Sequence, residues 1–569
     1  MDELSIRIAG EAGQGMQTIG EVLCRMFKSA GYHVFANQDY MSRIRGGNNY
    51  FQVRIGSKPV YTLRNNPDII ISLDKASVSL HKNDLAAGGI LIVDKNKSGV
   101  TENDAALMDV PLSAMAMQAA GKELFINSVA CGVIAGLTGV GIDFLEDVIR
   151  KVFSAKPADV IDGNIASVKK GFEFAQNDLK SVRFVVTAGG ARANLLMTAT
   201  DAMVLSAIKA GCKFYSAYPM SPSTGIMTGL AGYAGAFGIR VEQAEDEIAA
   251  INMIIGASFC GARSMAATSG GGFALMVEGL SLAGMTETPV VVVVAQRPGP
   301  ATGFPTRTEQ ADLDFILSSG HGEFARVLYA PGSIEEAFYL TGKAFNIAEK
   351  YQVPVIILTD QHLAECYRDT GMLDQDKIRA ERSIISKEES ARIKDYRRYA
   401  LTGSGISPRA IPSWISDPVY ADSDEHTEEG HITEDAAVRV KMVEKRLYKK
   451  MSALENDLEE PVTGNIEGAK VVLMGFGSTL GSLREVCRIL EGKAGFVHLP
   501  QVWPFPKNKL MRILKGAGNI ITVENNAGGQ LAKLLRRETG INVSGSILKF
   551  DGRPFDLDNL TEQVKEYLK

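Results

Sequence analysis

Short apolar runs rich in β-branched residues alternate with longer stretches of helical periodicity through most of the chain. This alternation is typical of α/β folds, in which helices connect the strands of mostly parallel sheets. The first block closes near residue 178, and it holds five predicted strands: "LSIRIAG", "HVFANQ", "NYFQVRIG", "PDIIISLD" and "GGILIVD". We therefore expect the chain to begin with an α/β domain that ends near this residue.

Two further blocks show the same alternation. The second has the predicted strands "RFVVTAGG", "KFYSAYP", "RSMAATS", "PVVVVVAQ" and "VPVIILTD". The third begins at "AKVVLMGFGSTLGSL" and continues through "GFVHLP", "NIITVENNAGGQL" and "SGSILKF". The longest apolar run, "PVVVVVAQ", is too short to span a bilayer and fits a buried parallel strand.

Two segments depart from this alternation. Residues 376–400, "DKIRAERSIISKEESARIKDYRRYA", predict an amphipathic helix that leaves the domain core and exposes its basic residues to solvent. Residues 417–435 carry eight acidic residues and no lysine or arginine, which predicts a solvated linker. His426 and His431 lie in this segment, so a metal site is the alternative, although the carboxylates have no recognisable ligand spacing.

Composition narrows the function classes. At 569 residues, with 45% hydrophobic and 22% charged residues, the chain has room for about three or four globular domains. A net charge of −5 gives no reason to expect a nucleic-acid or membrane-surface partner. The N-terminus has no basic region followed by an apolar one, so we expect a cytoplasmic location. The six cysteines are scattered without a CxxC, and we expect buried apolar residues rather than zinc or iron–sulfur ligands.

The loop "YPMSPST" combines two prolines with three hydroxyl groups. Pro219 and Pro222 fix φ at about −65° and cannot donate backbone hydrogen bonds. The loop therefore predicts a stiff ledge that presents the hydroxyl groups of Ser221, Ser223 and Thr224. The alternative is an ordinary helix N-cap formed by Ser223 or Thr224.

Two glycine-bearing turns of the first block suit anionic ligands. In "GEAGQGMQTIG", Gly13 and Gly15 can adopt positive φ and bring backbone N–H groups close to a ligand. The spacing is not G-x-G-x-x-G and the expected acidic residue is missing, which disfavours a dinucleotide site. In "SRIRGG", Arg43 and Arg45 suit a phosphate or a carboxylate, and surface arginines at a domain contact are the alternative.

Glu247 opens the apolar part of the helix predicted in "EQAEDEIAAINMIIGASFCGARS". Ile248, Ile251 and Ile255 are predicted to lie on a helix face near it. A carboxyl group in such a setting can share a proton with a heterocyclic nitrogen. The alternative is a first-turn glutamate that the helix dipole favours.

Two polar loops of the second block are predicted to converge. The three glycines of "ATSGGGFALM" let a planar ligand approach the backbone. The loop after the most apolar strand carries Arg297, Thr302, Thr306, Arg307, Thr308 and Gln310. In open α/β sheets ligands bind beyond the carboxyl ends of the strands. We therefore predict that this loop and "YPMSPST" form one pocket suited to a small carboxylate.

Several common catalytic motifs are missing from the sequence. It contains no P-loop, no G-x-S-x-G and no H-E-x-x-H. It also lacks a GDG followed further on by NN, the run that holds the magnesium diphosphate of thiamine enzymes. The pair Asn525–Asn526 in "VENNAGGQL" has no upstream GDG. If the chain is a thiamine enzyme, it carries only half of the site.

A set of motifs in fixed order resembles one enzyme family. "YPMSPST", "EDEIAAINMIIGAS", "TSGGGFALM", "GPATGFPTRTEQADL", "SGHGEFARV", "DEHTEEGHITED" and "VENNAGGQLAKLLR" resemble the α subunit of the 2-oxoacid:ferredoxin oxidoreductases. "EAGQGMQTIG" and "SRIRGG" resemble the γ domain that many members carry fused ahead of α. The resemblance covers nearly the whole chain and is greatest to the two-subunit type that acts on 2-oxoglutarate.

The resemblance implies three α/β domains. A γ domain would span residues 1–178, and a pyrimidine-binding domain of a thiamine enzyme residues 179–415. An acidic linker, 416–465, would lead to a transketolase C-terminal-like domain at 466–569. The missing GDG and cysteine motifs are then explained, because the β subunit of the family carries the diphosphate, the Mg²⁺ ion and a [4Fe–4S] cluster.

The resemblance also implies roles for individual residues. Glu247 matches the glutamate that hydrogen-bonds N1′ of the thiamine aminopyrimidine, and Arg307 matches the position that binds the oxoacid carboxylate. Ser221 replaces a threonine of the family, and Met220 an isoleucine, so the hydroxyl is kept and a methyl group is lost. The "YPMSPST" loop would contact thiamine and substrate through Tyr218, Pro219, Ser221 and Thr224. Arg43 and Arg45 are candidates for the coenzyme A phosphates or the distal carboxylate of 2-oxoglutarate.

The implied activity is the reversible, CoA-dependent oxidative decarboxylation of 2-oxoglutarate to succinyl-CoA, which fixes CO₂ in the reverse direction. Electrons would pass through the β subunit to ferredoxin, and a dimer of αβ heterodimers with no metal in this chain is expected. A pyruvate or broad-specificity enzyme is the alternative. More distant alternatives are a nicotinamide-dependent oxidoreductase, which would need the missing G-x-G-x-x-G, and a non-catalytic partner subunit, which would need neither Glu247 nor Arg307.

Overall fold

The structure is a computed structural model that describes residues 2–42, 46–101 and 106–569. Twenty strands are present in this part of the chain. In chain order they are β1 (Glu3–Ala12), β2 (His33–Asp39), β3 (Gly46–Gly56), β4 (Ile69–Ser72), β5 (Ile90–Val93), β6 (Leu107–Asp109), β7 (Leu195–Met197), β8 (Phe214–Ala217), β9 (Arg240–Gln243), β10 (Ser264–Thr268), β11 (Val290–Gln296), β12 (Val327–Tyr329), β13 (Pro354–Asp360), β14 (Tyr367–Thr370), β15 (Val462–Gly464), β16 (Val471–Phe476), β17 (Ala494–Leu499), β18 (Gln501–Trp503), β19 (Asn519–Glu524) and β20 (Gly545–Leu548).

Helices connect most of these strands. In chain order they are α1 (Met16–Ala30), α2 (Lys75–His81), α3 (Lys95–Ser98), α4 (Leu112–Ala120), α5 (Ile126–Thr138), α6 (Ile142–Val152), α7 (Ala158–Asn177), α8 (Ala199–Lys209), α9 (Thr224–Phe237), α10 (Glu247–Phe259), α11 (Gly270–Met285), α12 (Leu313–Ser318), α13 (Ile334–Tyr351), α14 (Gln361–Glu365), α15 (Lys387–Ser390), α16 (Ala436–Val443), α17 (Lys450–Leu454), α18 (Thr479–Ile489), α19 (Lys507–Ile513), α20 (Gln530–Thr539) and α21 (Leu557–Glu566). A π-helical segment, Glu444–Lys449, joins α16 to α17.

The chain forms two compact units, of which the first comprises Met1–Thr198, Glu365–Met372 and Phe555–Val564. Its eight-stranded sheet has the order β6-β5-β4-β1-β3-β2-β14-β7. Strands β1, β4, β5 and β6 are parallel, whereas β3, β2, β14 and β7 pair antiparallel. The five strands predicted for the first block are confirmed. The sheet also takes up β14, a strand from the part of the chain that the sequence assigns to the second block.

The strand predicted in "RFVVTAGG" is wrong, because residues 183–190 form no strand. Phe184 and Val186 are buried in the core of the first unit instead, whereas Val185 between them is 55% exposed. The backbone N–H of Phe184 donates to the carbonyl oxygen of Leu137 in α5 (3.0 Å). The Tyr32 hydroxyl donates to the carbonyl oxygen of Val186 (3.0 Å). The alternating burial of this run therefore reflects packing of two side chains into the core and not pairing in a sheet.

The second unit comprises Ala199–Ala364, Leu373–Pro554 and Lys565–Lys569 and contains two sheets. The larger sheet has the order β18-β12-β13-β11-β10-β8-β9. All its neighbouring strands are parallel except β18, which pairs antiparallel with β12. The other four strands predicted for the second block, β8, β10, β11 and β13, are confirmed, and β11 is buried along its whole length.

The smaller sheet of the second unit has the order β15-β17-β16-β19-β20. It is parallel except for β15. The runs predicted for the third block correspond to β16, β17, β19 and β20. The α/β class is therefore confirmed, and the domain boundaries near residues 178, 415 and 465 stay predictions.

The prediction of a long amphipathic helix over residues 376–400 is wrong. Apart from one 3₁₀ turn, only Lys387–Ser390 is helical. The other basic residues of this segment are exposed, as expected, but Arg398 is only 2% exposed. Its guanidinium donates to Gln352 Oε1 (2.8 Å) and to the carbonyl oxygen of Glu287 (2.7 Å). An alternating charge pattern could not reveal that this arginine binds buried oxygen atoms of the second unit.

The sequence predicts that the acidic segment 417–435 is a solvated linker, and the structure differs from this at Glu425 and His426. Glu425 accepts two hydrogen bonds from the Arg446 guanidinium (2.8 and 2.7 Å). Burial opposes ionisation of Glu425, but these bonds lower its pKa to about 2. His426 is fully buried, and its ring centroid lies 4.1 Å from that of Tyr399. Among the described residues no group of three or more His, Cys, Asp or Glu side chains is arranged to hold a metal ion.

Buried ion pairs anchor the helical segment that follows. Lys445 and Lys450 are almost fully buried, and both pair with Glu287 (2.6 and 2.7 Å). Burial lowers the pKa of Lys445 to about 8. Because an unpaired buried charge is costly, this pairing fixes the segment in the second unit.

No single helix within residues 2–42, 46–101 and 106–569 is long and apolar enough to cross a membrane. A pair of helical segments, Leu112–Ala120 and Glu123–Thr138, meets the test of length and composition together, but is bent by 117°. Most residues of α5, the second helix of this pair, are buried within the core of the first unit.

Candidate active site

Four polar segments follow strands of the seven-stranded sheet. They come after β8 (residues 218–223), β9 (244–247), β10 (269–272) and β11 (297–312). These four strands run parallel to one another. Since the carboxyl ends of parallel strands lie at one edge of a sheet, and ligands bind there, the fold brings the predicted site segments to one edge.

The loop after β8 exposes the side chains that the sequence singled out. Ser221 is exposed and Tyr218 is 41% exposed, while Pro219 and Thr224 are half-buried. Ser223 occupies the N-cap position of α9, but its side chain makes no capping bond. Its hydroxyl donates instead to the carbonyl oxygen of Met220 (2.7 Å). The loop is therefore fixed by its own hydroxyl, and the N-cap alternative is wrong for Ser223.

Arg297 connects the two predicted site loops. Its Nη1 donates to the carbonyl oxygen of Ser221 (2.8 Å). Burial lowers the pKa of this guanidinium from its ordinary value. The bond holds the start of the loop after β11 against the loop after β8. The predicted convergence of these two loops is confirmed by this contact.

Glu247 is the first residue of α10 and is only 3% exposed. Asp246 precedes it as the N-cap, and its carboxylate accepts from the backbone N–H of Ala249 (2.7 Å). Because Asp246 satisfies the helix end, the side chain of Glu247 is not needed as a cap. The alternative of a simple first-turn glutamate therefore does not account for its burial.

One carboxylate oxygen of Glu247, Oε1, is buried without a hydrogen-bond partner among the described residues. Gly272, in the first turn of α11, lies directly beside it, and a Cβ atom at this position would overlap both Glu247 Oε1 and Thr268 Oγ1. A buried polar atom without a partner costs free energy. The arrangement therefore indicates that a ligand supplies a donor to this oxygen.

The prediction of an apolar helix face beside Glu247 is only partly correct. Ile251 and Ile255 are buried, but Ile248 is 48% exposed. A residue one position further along a helix points about 100° away, so Ile248 faces away from the core side of α10. The exposed position makes Ile248 part of an external surface and not of the site lining.

Asp312 is a carboxylate that the sequence did not single out. A Cβ atom at Gly270, where α11 begins, would overlap the carboxylate of Asp312. The backbone N–H of Asp312 donates to Gln296 Oε1 at the end of β11 (3.0 Å). Burial raises the pKa of Asp312 to about 6. The glycine turn after β10 thus lies between two carboxylates, Glu247 and Asp312.

The raised pKa of Asp312 makes stability depend on pH. The folded chain holds this proton more tightly than the unfolded chain, so stability falls as the pH rises from about 4 to about 6. We expect Asp312→Asn to raise the unfolding temperature at pH 7.5 more than at pH 4.5. Each pKa unit corresponds to about 1.4 kcal/mol, so the difference should be on the order of 2 kcal/mol. Thermal unfolding at both pH values measures it.

The matched control is Asp314→Asn, which removes the same charge two residues further along but does not contact Gly270. If Asp312→Asn and Asp314→Asn change the pH dependence of the unfolding temperature equally, burial of Asp312 against the glycine turn is not the cause.

Arg307 is half-buried and held by its neighbours. Its backbone N–H donates to the carbonyl oxygen of Phe304 (3.1 Å). A Cβ atom built on Gly552, which has φ of +76°, would lie 3.3 Å from Arg307 Cβ. The stem of Arg307 therefore packs against the backbone of Gly552, and this contact limits where the guanidinium can point.

The turn at Gly13 and Gly15 borders a cavity of about 470 Å³ in the first unit. Both glycines have positive φ (97° and 79°), as the sequence predicted. The turn leads into α1, and Lys97 lines the cavity as well. Backbone N–H groups at a helix start suit an anion such as a phosphate. The ammonium group of Lys97, however, pairs with the carboxylate of Glu123, which lines the cavity together with Asp94. Arg43 and Arg45 lie outside the described residues.

Sequence reasoning placed Arg297 and Gln310 on a loop but gave neither a role. Arg297 is the contact between the site loops, and Gln310 is fully buried against Asn525. The sequence contained one sign of this contact, the pair Asn525–Asn526, which lacks the upstream GDG of a diphosphate site. A buried asparagine pair opposite a glutamine can be recognised only when the fold places them together.

Models of three known domain families match the chain. The pyruvate ferredoxin/flavodoxin oxidoreductase domain matches residues 5–174. The thiamine diphosphate-binding domain of pyruvate flavodoxin/ferredoxin oxidoreductases matches residues 205–445. Core domain II of pyruvate:ferredoxin oxidoreductase matches residues 469–560. Together the three matches cover most of the chain in the order that the sequence motifs suggested.

Similar proteins share the full length of the chain. The 2-oxoacid:ferredoxin oxidoreductase subunit alpha of a Sulfolobus species is 33% identical over 100% of this chain and 97% of its own. The 2-oxoglutarate oxidoreductase subunit KorA of Mycobacterium tuberculosis is 28% identical, with coverage of 100% and 92%. A solved 2-oxoglutarate:ferredoxin oxidoreductase from Magnetococcus marinus, with 2-oxoglutarate, coenzyme A and succinyl-CoA bound, is 30% identical, covers 100% of both chains and has a TM-score of 0.93.

Proposed function

Because this chain belongs to the 2-oxoacid:ferredoxin oxidoreductase family as an alpha subunit with a fused gamma domain, we propose that its candidate site binds the aminopyrimidine of thiamine diphosphate together with a 2-oxoacid. Within the family we propose 2-oxoglutarate as the substrate and succinyl-CoA as the product. The Magnetococcus marinus enzyme, which matches over its whole chain, contains both compounds.

The unpartnered Oε1 of Glu247 is the observation that carries this proposal. It is buried at the carboxyl edge of the sheet, beside the glycine turn, where a Cβ atom at Gly272 would overlap it. The N1′ position of an aminopyrimidine is a ring nitrogen that can share a proton with such a carboxylate. The residues present therefore fit the cofactor, and Glu247 would hold the proton at N1′.

Thiamine diphosphate, when bound, supplies the carbon nucleophile and electron sink for decarboxylation. The remaining work belongs to side chains of this chain. Arg307 would pair with the C1 carboxylate of the oxoacid, a charge-assisted contact, and the Ser221 hydroxyl would donate to the same group. Tyr218, Pro219 and Thr224 would line the loop against ring and substrate. Placement of the reacting carbon is the main contribution of these residues.

We propose that a β subunit covers the face formed by helix α9. This helix has no charged residue, yet only Ile226 and Leu230 are buried. Tyr233 and Phe237 are 44% and 48% exposed. Exposed apolar surface of this kind marks a protein contact, and the many Gly and Ala residues of α9 let another backbone approach closely.

The β subunit would complete the site with the parts that this chain does not encode. These are the diphosphate and Mg²⁺ contacts and a [4Fe–4S] cluster that passes electrons to ferredoxin. We propose a dimer of αβ heterodimers in the cytoplasm. The six cysteines are free thiols, which suits a reducing compartment.

For coenzyme A we propose the cavity beside Gly13 and Gly15. The backbone N–H groups before α1 would bind its phosphates, and Lys97 would join them only on leaving its ion pair with Glu123. Asn127 lines the cavity as well, and its Nδ2 donates to the carbonyl oxygen of Gln14 (3.1 Å), which fixes the turn. Arg43 and Arg45 remain candidates for the coenzyme A phosphates or the distal carboxylate of 2-oxoglutarate.

The experiment that tests the proposed function is a substrate panel on the copurified αβ complex. Reduction of methyl viologen is followed with 2-oxoglutarate, pyruvate and 2-oxobutyrate, each with and without coenzyme A. The proposal expects CoA-dependent reduction with the highest kcat/KM for 2-oxoglutarate. A higher kcat/KM for pyruvate would replace the substrate but keep the reaction, whereas no reduction with any oxoacid would overturn the proposal.

A further inference from the structure

Gln310 is the centre of a buried polar junction in the second unit. It is fully buried. Its backbone N–H donates to the carbonyl oxygen of Asn525 (2.7 Å), and its Oε1 accepts from the backbone N–H of Asn525 (3.1 Å). Its Nε2 donates to the carbonyl oxygen of Phe476 (2.9 Å), and its own carbonyl oxygen accepts from Asn526 Nδ2 (3.2 Å). All polar groups of Gln310 therefore bind residues at the ends of two strands of the smaller sheet.

The partners of Gln310 lie at the carboxyl ends of two strands of the smaller sheet. Phe476 is the last residue of β16, and Asn525 follows directly after β19. Asn525 and Asn526 are buried, and Asn526 Oδ1 accepts from the backbone N–H groups of Gly528 (3.1 Å) and Gly529 (2.8 Å). The asparagine pair fixes the turn after β19 and presents it to Gln310.

The junction lies three residues from Arg307. Between them, the backbone N–H of Thr308 donates to the carbonyl oxygen of Gly552 (3.3 Å). Gly552 also packs against the stem of Arg307, as described above. The segment that carries Arg307 is thus held from one side by Gly552 and from the other by Gln310.

We propose that Gln310 is a positioning residue for the oxoacid site. Through Asn525, Asn526 and Phe476 the smaller sheet fixes the segment 307–310, and this fixes the direction of the Arg307 guanidinium. The inference rests on the proposed contact between Arg307 and the substrate carboxylate. The inference assigns the pair Asn525–Asn526 a structural function that does not depend on a diphosphate motif.

The geometry determines what each substitution at position 310 should do. Gln310→Met keeps the volume and removes both side-chain hydrogen bonds. Gln310→Glu keeps an acceptor for the Asn525 N–H, but it loses the donor to Phe476 and places a carboxylate against that carbonyl oxygen. A guanidinium that points less well binds the substrate carboxylate less tightly in the ground state and in the transition state alike, and such a loss of uniform binding raises KM. We expect KM for both 2-oxoglutarate and pyruvate to rise roughly tenfold to a hundredfold in Gln310→Met, and kcat at saturation to change far less.

The matched control is Thr522→Val. Thr522 lies in β19, and its hydroxyl hydrogen-bonds that of Ser546 in the neighbouring strand (2.8 Å). This variant removes one buried hydrogen bond of the same sheet without touching the Arg307 segment. Gly552→Ala is a second test, because it perturbs Arg307 from the other side and removes no side-chain hydrogen bond.

The experiment combines kinetics with hydrogen exchange on the αβ complex. Peptides that cover residues 304–312 should exchange faster in Gln310→Met than in the wild type. Loss of the two side-chain bonds loosens the attachment of this segment to Asn525 and Phe476, so the Gln310 amide is held less firmly against the Asn525 carbonyl oxygen. Peptides of β10 and β11 should be unchanged. The expected result is faster loop exchange with raised KM for both oxoacids in Gln310→Met and Gly552→Ala, and wild-type KM in Thr522→Val.

Two outcomes would overturn the inference. One is faster loop exchange with unchanged KM, because the junction would then hold the loop without positioning the site. The other is an equal rise of KM in Thr522→Val, because the effect would then follow from general loss of stability. Arg307→Met, measured in parallel, separates this inference from the proposed function. If Arg307→Met leaves KM unchanged, Arg307 does not bind the oxoacid and the junction inference falls, while the proposed reaction stands. If Arg307→Met raises KM and the Gln310 and Gly552 variants do not, the junction inference falls as well, and Arg307 keeps its role.

Discussion

Glu247→Gln is expected to lower the turnover of the αβ complex by at least about a hundredfold, since proton transfer by a positioned side chain contributes roughly 10²–10⁴ to a rate. The substitution keeps the size and burial of the side chain. It removes the carboxylate that would hold the proton at N1′ of the aminopyrimidine. The complex should still assemble with its cluster, since Asp246 and not Glu247 caps α10. Steady-state reduction of methyl viologen with saturating 2-oxoglutarate measures the loss.

Glu245→Gln is the matched control for this prediction. Glu245 is exposed and lies two residues earlier in the same segment, so the variant makes the same chemical change and leaves the buried carboxylate of Glu247 in place. It should turn over at nearly the wild-type rate. A Glu247→Gln complex that retains activity within about tenfold of the wild type, equivalent to about 1.4 kcal/mol of barrier, would show that Glu247 is not the N1′ partner.

Arg307→Met should weaken the use of 2-oxoglutarate and of pyruvate alike. The C1 carboxylate is common to all 2-oxoacids, so a cation that pairs with it anchors the substrate without selecting among oxoacids. A hydrogen bond to a charged group contributes about 1.5–3 kcal/mol, so kcat/KM should fall at least about tenfold for both. Parallel kcat/KM measurements with the two acids test the prediction.

Arg240→Met is the control for Arg307→Met, because Arg240 is an exposed arginine at the start of β9. It removes the same charge from the second unit without approaching the carboxyl edge of the sheet. A loss confined to 2-oxoglutarate would place Arg307 at the distal carboxylate instead. Unchanged kinetics with both acids would remove Arg307 from the substrate site.

Most of the strands could be predicted from the sequence because parallel strands buried on both faces appear as short β-branched runs. The run "RFVVTAGG" has the same composition, yet it forms no strand, and Phe184 and Val186 are buried in the core of the first unit. Local composition can indicate that a segment is buried and extended. It cannot indicate whether the backbone of that segment pairs with another strand. Strand β14 shows the same limit, since its sheet partner β2 lies more than 300 residues earlier in the chain.

The residues of the candidate site could be predicted where their position after a strand identifies them. The contacts between distant loops could not be predicted. Glu247 and Arg307 could be identified because they follow strands of a parallel sheet and match family motifs. The contacts of Arg297 with Ser221 and of Gln310 with Asn525 join segments more than 70 residues apart. Such pairs leave no mark in a single sequence, because either residue alone looks like an ordinary polar loop position.

The charged segments were the least predictable part. Arg398 and Glu425 lie in stretches that look solvated, yet the first is buried and the second is paired with Arg446. A charge run predicts a solvated face only when no compensating charge packs against it. The partners of Arg398 and Glu425 come from other elements of the second unit, so the sequence pattern pointed in the wrong direction.

The central claim is that this chain supplies one half of a thiamine site that a β subunit completes. The most direct test is release of labelled CO₂ from 1-¹³C-2-oxoglutarate with thiamine diphosphate, Mg²⁺, coenzyme A and methyl viologen present. The purified chain, the purified β subunit and the reconstituted pair are compared at equal concentration. The account predicts that only the pair releases CO₂ and that the chain alone contains no iron or sulfide. Release of CO₂ by the chain alone, or stoichiometric iron in it, would contradict the account.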